Sequence, residues 1–127
     1  MSDKNNRSAE RYHVRWKIAL VFDEAEHRPT FHGRTYDLSL VGTGMHTNVN
    51  LFTTSQVMVL LAPPPLHKGE RQKIIEIRAR QVYAVYSGES ACFRLGFEFV
   101  YFKGDGLQVL KQRLVHHPTK INRVLST

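Results

Sequence analysis

Cysteine and long apolar runs are nearly absent from this sequence. Cys92 is the only cysteine, so an intramolecular disulfide is impossible and a reducing compartment is favoured. The longest apolar stretch, Val57 to Ala62, is far shorter than the roughly 18 residues that a membrane-spanning helix needs. The first residues, MSDKNNRSAER, lack the apolar centre of a signal peptide. We therefore expect a cytoplasmic protein with no membrane span.

The residue patterns typical of enzymes and metal proteins are missing as well. No glycine-rich P-loop with its lysine occurs. None of the 7 histidines has ligand spacing joined to a carboxylate or thiol cluster. Cys92 has no neighbouring histidine that would serve as a base. We therefore expect no enzyme activity, no catalytic residue, no metal site and no cofactor.

Positive charge, by contrast, is plentiful. The chain of 127 residues has 18 Lys and Arg against 11 Asp and Glu, a net charge of +7. This length suits one domain, and the 42% of hydrophobic residues is ordinary for a globular protein. The excess charge favours an anionic partner, which could be a nucleic acid, a nucleotide or an acidic protein surface.

Alternation of apolar and polar residues predicts a chain rich in β-strands. The pattern indicates strands at Trp16–Phe22, Phe31–Leu40, Val57–Leu61, Ile74–Tyr86 and Phe93–Val100. It slips near Gln81, which indicates a bulge. After Gly104 the period becomes helical, with apolar residues at Leu107, Leu110 and Leu114.

Short strands separated by Gly and Pro and followed by one amphipathic helix predict an antiparallel barrel closed by a helix. The polar start of the chain has almost nothing to bury, so we expect a flexible N-terminal arm over residues 1–10. The barrel and helix then occupy residues 11–117, and residues 118–127 form a C-terminal tail.

Two arginines stand where the predicted arm meets the first strand. Arg11 and Arg15 are four residues apart, so they lie on one side of the chain whether it is extended or helical. An RxxxR pattern of this kind also occurs by chance, with both arginines solvated.

A second polar group follows at Asp37, Ser39 and Gly42. On a continuous strand Asp37 and Ser39 share the outward face, while the other face carries Tyr36, Leu38 and Leu40. Gly42 permits a positive φ or the close approach of a ligand, and Gly44 interrupts the strand pattern again. Asp, Ser and Gly are also turn formers, so a purely structural turn is the alternative.

The chemistry of the two groups is complementary. Guanidinium groups match guanine O6 and N7 bidentately, and they also match phosphate. A carboxylate such as that of Asp37 matches the N–H donors of the guanine Watson–Crick edge. A ligand that carries both guanines and phosphates would use both groups at once.

At these residues the sequence resembles the PilZ family, whose signature is RxxxR followed some 20 to 30 residues later by D/N-x-S-x-x-G. Arg11 and Arg15 match the first part, and Asp37, Ser39 and Gly42 match the second. The resemblance spans roughly residues 7–116. It departs from the family at Glu10, which bears on whether one or two ligands bind, and at Val41, where many relatives have glycine.

The resemblance implies a mainly β fold, a six-stranded antiparallel β-barrel with a C-terminal α-helix. It also implies binding of cyclic di-GMP by the matched residues and ordering of the arginine-bearing arm when the ligand binds. Arg7, Gly44 and Gly96 are further candidates for ligand contact.

We therefore expect a cyclic di-GMP receptor that signals to a protein partner. One alternative is a PilZ-like protein–protein adaptor that does not bind nucleotide. The other is a small basic barrel that binds single-stranded nucleic acid through its charge. The intact motifs favour the receptor, for which no nucleic-acid partner is expected.

Overall fold

Six antiparallel strands form a closed barrel in the computed structural model of the protein, which describes residues 10–115. The elements are β1 (Lys17–Val21), β2 (Phe31–Leu38), β3 (Gly42–Thr47), β4 (Val57–Ala62), β5 (Ile75–Ser87), β6 (Cys92–Phe102) and the helix α1 (Gly106–Val115). A single 3-10 turn, Glu24–Glu26, lies between β1 and β2. The strand order is β1-β2-β3-β6-β5-β4, and β4 pairs with β1 to close the barrel. The predicted fold class is confirmed.

Alternating side chains fill the inside of the barrel. Ile18 and Leu20 of β1, for example, point inward between exposed Lys17 and Val21. The fully enclosed core residues include Leu20, Leu38, Val59, Leu61, Ile77, Leu95 and Leu110. Since each inward position alternates with an outward one, the register of the strands also fixes which polar residues share the outer surface.

The predicted slip in β5 is confirmed, because the pairing of β5 with β6 shifts between Gln81 and Tyr83. The expectation for β2 is wrong in two respects. The strand ends at Leu38 rather than Leu40, and a bulge at Tyr36 lies between the paired residues Thr35 and Asp37. A bulge adds one residue to one strand and so reverses the alternation beyond it.

The helix covers one part of the barrel through Leu110 and Leu114, which are buried. Arg113 is buried too, and its guanidinium donates to the Pro64 carbonyl at 2.8 Å and to Glu70 Oε2 at 2.6 Å. These bonds tie α1 to the loop between β4 and β5.

The predicted arm at residues 1–10, apart from Glu10, and the predicted tail at residues 118–127 lie outside the described residues. Within residues 10–115 no helix is long and apolar enough to cross a membrane.

Candidate functional site

The segment that carries the two arginines runs in extended form along the barrel before β1 begins. Tyr12 and Leu38 exchange two backbone hydrogen bonds of 2.9 Å each. Tyr12 and Val14 are buried, whereas Arg11 and Arg15 are exposed. The two arginines therefore leave the same, solvent-facing side of the segment, which is held against β2 at Tyr12.

The carboxylate of Asp37 links this segment to β3. Its Oδ1 accepts from the guanidinium of Arg11 at 3.2 Å and from the backbone N–H of Gly44 at 2.9 Å. The Asp37 side chain is 19% exposed and that of Arg11 is 54% exposed. The bulge places Tyr36 as well as Asp37 on the outer surface, since Thr35 and Leu38 on either side both point into the core.

Ser39 does not share the outer face with Asp37, so that expectation is wrong. It is only 1% exposed and lies in the turn that joins β2 to β3. Its N–H donates to the Gly42 carbonyl at 2.9 Å, and its hydroxyl accepts from the N–H of Val41 at 3.1 Å. The strand has already ended at Leu38, so Ser39 has the hydrogen-bonding pattern of a turn residue.

The three candidate glycines lie on the outward face of the sheet where β3 meets β6, but all three are buried. Gly44 and Gly96 are direct partners, and Gly42 pairs with Glu98 one step further along. A Cβ on Gly42 would lie 2.4 Å from the Phe97 carbonyl oxygen, so this glycine is needed for close approach to the next strand and not for a positive φ. A Cβ on Gly44 would lie 2.9 Å from Asp37 Oδ1.

Gly96 lies directly beneath the ring of Tyr83 from β5, because a Cβ there would be 2.2 Å from that ring. Tyr83 is 40% exposed, so the other side of its ring is accessible. Gly44 and Gly96 are both buried, because the Asp37 carboxylate lies over Gly44 and the Tyr83 ring lies over Gly96.

Two residues of this face, His46 and Arg94, are not among the candidate site residues predicted from the sequence. They are direct partners on β3 and β6, next to the pair of Gly44 and Gly96. The signal that could have found them is the period of two, because each lies two residues from a candidate glycine. Deciding that they share one patch requires the pairing of β3 with β6.

His46 stacks on Tyr36, with ring centroids 4.1 Å apart, and Tyr36 meets His13 edge to face at 5.2 Å. Burial lowers the pKa of His46, the positive charges of Arg94 and Arg15 lower it further, and Asp37 opposes the shift. The Nε2 atom of His46 is buried with no hydrogen-bond partner among the described residues. Because their charges lower the pKa of His46, Arg15 and Arg94 belong to the same part of the surface as this histidine.

We call this patch the glycine face; it comprises Arg11, Arg15, Asp37, Gly44, His46, Tyr83, Arg94 and Gly96. With three arginines, one aspartate and a neutral His46, its formal charge is +2. It offers guanidinium donors, a carboxylate acceptor and exposed aromatic surface, which suit an anionic ligand with planar rings. Among residues 10–115 no group of three or more His, Cys, Asp or Glu side chains could hold a metal ion. Arg7 lies outside the described residues.

Comparisons with known proteins give a match in structure alone. No model of a known protein family matches the sequence, and no curated protein sequence matches it either. The inhibitor of motility MotI/DgrA from Bacillus subtilis superposes with a TM-score of 0.69 at 16% identity, over 95% of this chain and 52% of that one. The chain thus spans about half the length of MotI/DgrA.

The second similar structure is the PilZ domain of YcgR from Escherichia coli, solved with cyclic di-GMP. It superposes with a TM-score of 0.54 at 17% identity, over 84% of this chain and 86% of that domain. At these identities the likeness concerns the fold. The chain therefore has a PilZ-like fold, as the sequence resemblance predicted.

Proposed function

We propose that this chain is a receptor for cyclic di-GMP, without enzyme activity, and that it binds the dinucleotide on the glycine face. The observation that carries the proposal is the convergence of Arg11, Arg15 and Asp37 on one outer surface, where Asp37 and the exposed Tyr83 ring lie over the buried glycines Gly44 and Gly96. The similarity in fold to a domain solved with cyclic di-GMP supports it.

The charges and donors of this face suit the ligand. Cyclic di-GMP carries two phosphate charges, which match the formal +2 of the face. Arginine donates bidentately to guanine O6 and N7 or to a phosphate, and the Asp37 carboxylate accepts from the N–H groups of a guanine. Tyr83 offers a ring on which a base would stack. Ser39 is buried, so we assign it to fixing the turn after Asp37 rather than to a contact with the ligand.

Ligand binding would alter the contact between Arg11 and Asp37. Both groups belong to the proposed site, yet they are paired with each other at 3.2 Å. An exposed ion pair of this kind contributes only about 0–1 kcal/mol, so a dianionic ligand would displace it. Arg11 would then turn from Asp37 to the ligand. The segment around Arg11 would move with it, and a protein partner could recognise this change.

Calorimetric titration with cyclic di-GMP at physiological salt tests the proposal. Arg11→Ala and Arg15→Ala should each weaken binding by about tenfold to a hundredfold, because each removes a charge-assisted hydrogen bond of roughly 1.5–3 kcal/mol. Arg71→Ala is the matched control, since Arg71 is an exposed arginine in the loop between β4 and β5. The heat ratio gives the number of ligands bound per chain.

The alternatives are separated in the same experiment. A receptor should prefer cyclic di-GMP to GTP and to cyclic di-AMP. Affinity for arbitrary oligonucleotides that falls steeply with salt would instead indicate a nucleic-acid binder. Wild-type affinity in the double variant Arg11→Ala/Arg15→Ala would refute the assignment of the site. An absence of nucleotide binding would favour an adaptor. A cytoplasmic location stays a prediction from the sequence.

A further inference from the structure

A groove of about 560 Å³ lies on the outer surface where β1 meets β2 and β4. Its floor is apolar and low because small residues stand at outward positions. Ala19 pairs with Leu60, and the next outward residue of β4 is Ala62. Ile74, which is 56% exposed, lines the groove as well. We call this feature the β1 groove.

The rim of the β1 groove is cationic. Lys17 and Arg34 are direct partners between β1 and β2, and His32 is the partner of Ala19. Like charges directly opposite each other destabilise a sheet, yet neither Lys17 nor Arg34 takes part in an ion pair within residues 10–115. The groove thus combines an apolar floor with two neighbouring positive charges that form no ion pair within residues 10–115, while Glu76, the strand partner of Leu60, pairs with Lys103.

We propose that the β1 groove binds a segment of a partner protein that presents an apolar side chain flanked by carboxylates. The apolar side chain would cover Ala19, Leu60 and Ala62, and the carboxylates would pair with Lys17 and Arg34. A concave groove accepts a projecting side chain better than a flat membrane surface. Opposite charge also accelerates encounter and fixes the register of the bound segment.

Charge argues against the occupants that this chain itself could supply. A second copy carries a net charge of +7 and would be repelled. The sequence that follows Val115, HHPTKINRVLST, has Lys120 and Arg123 but no acidic residue. The first nine residues, MSDKNNRSA, have one acidic and two basic residues. An acidic partner is the complementary choice.

Arg34 connects the groove with the glycine face. Its Nη1 donates to the backbone carbonyl of Arg15 at 3.0 Å, and Arg15 is one of the proposed ligand-binding residues. A partner carboxylate in the groove would compete for the Arg34 guanidinium and so loosen the backbone of Arg15. Coupling between two sites is reciprocal, so cyclic di-GMP would in turn change the affinity of the groove for its partner. This coupling, unlike the docking itself, rests on the proposed function.

The docking is tested by NMR titration of the ¹⁵N-labelled chain of 127 residues without nucleotide. The probe is a blocked peptide with two leucines flanked by aspartate and glutamate. The backbone amides of Ala19, Gly33, Leu60 and Ala62 should shift, and Lys17→Glu should weaken binding by about tenfold or more. Lys111→Glu is the matched control, because it makes the same charge change at an exposed position of α1 and should leave the affinity within about twofold.

Other results would overturn the docking. These are no shift at the groove, equal weakening by Lys111→Glu, or equal binding of a peptide with serines in place of the leucines. Sedimentation that shows a dimer lost in Lys17→Glu would assign the groove to a second copy. Binding to anionic phospholipid vesicles that Lys17→Glu abolishes, without peptide binding, would assign it to a membrane. A spin label can be attached to Ser126→Cys in a protein that also carries Cys92→Ser. If this label broadens the amide signals of the groove, the occupant of the groove is the C-terminal segment of the chain.

The coupling is tested by repeating the titration with saturating cyclic di-GMP. We expect the peptide affinity of the wild type to change by about threefold or more and that of Arg34→Gln to stay constant. An unchanged wild-type affinity, in a protein that calorimetry shows to bind the nucleotide, would refute the coupling. A protein that binds the peptide but no nucleotide would sustain the docking and refute the proposed function.

Discussion

Two glycines of β3 that are two residues apart should respond to alanine in opposite ways. At Gly42 the added Cβ would lie 2.4 Å from the Phe97 carbonyl oxygen, whereas real Cβ contacts stay above 3.0 Å. The shortfall of 0.6 Å would have to come from the backbone of β6, which Gly42 pairs with. Forcing such a shift typically costs about 1–3 kcal/mol, so Gly42→Ala should lower the free energy of unfolding by about that amount.

At Gly44 the nearest atom is Oδ1 of Asp37, at 2.9 Å. This oxygen is at the end of a side chain that can rotate away, so the stability cost should stay below about 1 kcal/mol. Rotation would, however, weaken the bonds that hold the carboxylate to Arg11 and to the Gly44 N–H. Under the proposed function, Gly44→Ala should therefore weaken cyclic di-GMP binding by about tenfold while the fold remains intact.

Urea denaturation and calorimetric titration of both variants and the wild type separate the two effects. Gly42→Ala should unfold at a clearly lower urea concentration with an unchanged slope. Gly44→Ala should unfold near the wild-type midpoint but bind less nucleotide. Wild-type stability of Gly42→Ala would refute the steric argument, and wild-type affinity of Gly44→Ala would show that the position of Asp37 does not matter for the ligand.

Two further predictions concern His46 and Thr35. Folding lowers the pKa of His46 below its ordinary value of 6.5. As the pH falls, the unfolded chain therefore binds a proton at His46 before the folded chain does. The free energy of unfolding should then decrease between pH 6.5 and the lower pKa of the folded chain. The urea midpoint of His46→Gln should therefore fall less across this pH range than that of the wild type. An equal fall in both proteins would contradict the attribution of this pH dependence to His46. Thr35→Val should cost about 1–3 kcal/mol, because the buried Thr35 hydroxyl accepts from the Trp16 N–H at 3.0 Å and donates to the Val14 carbonyl. Thr35→Ser keeps these bonds and should cost clearly less by the same urea measurement, so equal losses would refute the hydrogen-bond explanation.

The barrel itself could be predicted because its strands alternate strongly. Leu95 and Phe97 of β6 and Ile75 and Ile77 of β5 all point inward as the pattern indicates. The bulge beside Gln81 could be predicted because the charged positions of the alternation end at Arg80, and the next positions of the same face, Val82 and Ala84, are apolar. The bulge at Tyr36 gives no comparable signal in the sequence, because a tyrosine is acceptable on either face of a strand.

The candidate site was only partly visible for a different reason. Arg11, Arg15 and Asp37 form a pattern along the chain, and the structure brings them to one face. His46 and Arg94 become neighbours only through the pairing of β3 with β6. Pairing of this kind depends on the whole barrel, so no local pattern could have placed these two residues together.

The β1 groove depends even more on closure of the barrel. Its floor needs Ala19 of β1 to lie beside Leu60 of β4, which is the pair that closes the sheet. In the sequence both residues are unremarkable members of short strands. Likewise, the adjacent charges of Lys17 and Arg34 are 17 residues apart and meet only because β1 and β2 are antiparallel partners.

Three consecutive residues of β2 would connect the proposed partner site in the β1 groove with the proposed ligand site on the glycine face. Arg34 faces the β1 groove and holds the carbonyl of Arg15, while Thr35 points inward and bonds the backbone of the same segment. Tyr36 faces outward again and stacks on His46 of the glycine face. The three residues are consecutive in one strand. Under the two proposals, a displacement of the Arg15 backbone by either binding partner would therefore reach the other site through these hydrogen bonds. The segment before β1 is therefore where the proposed ligand signal and the proposed partner signal meet.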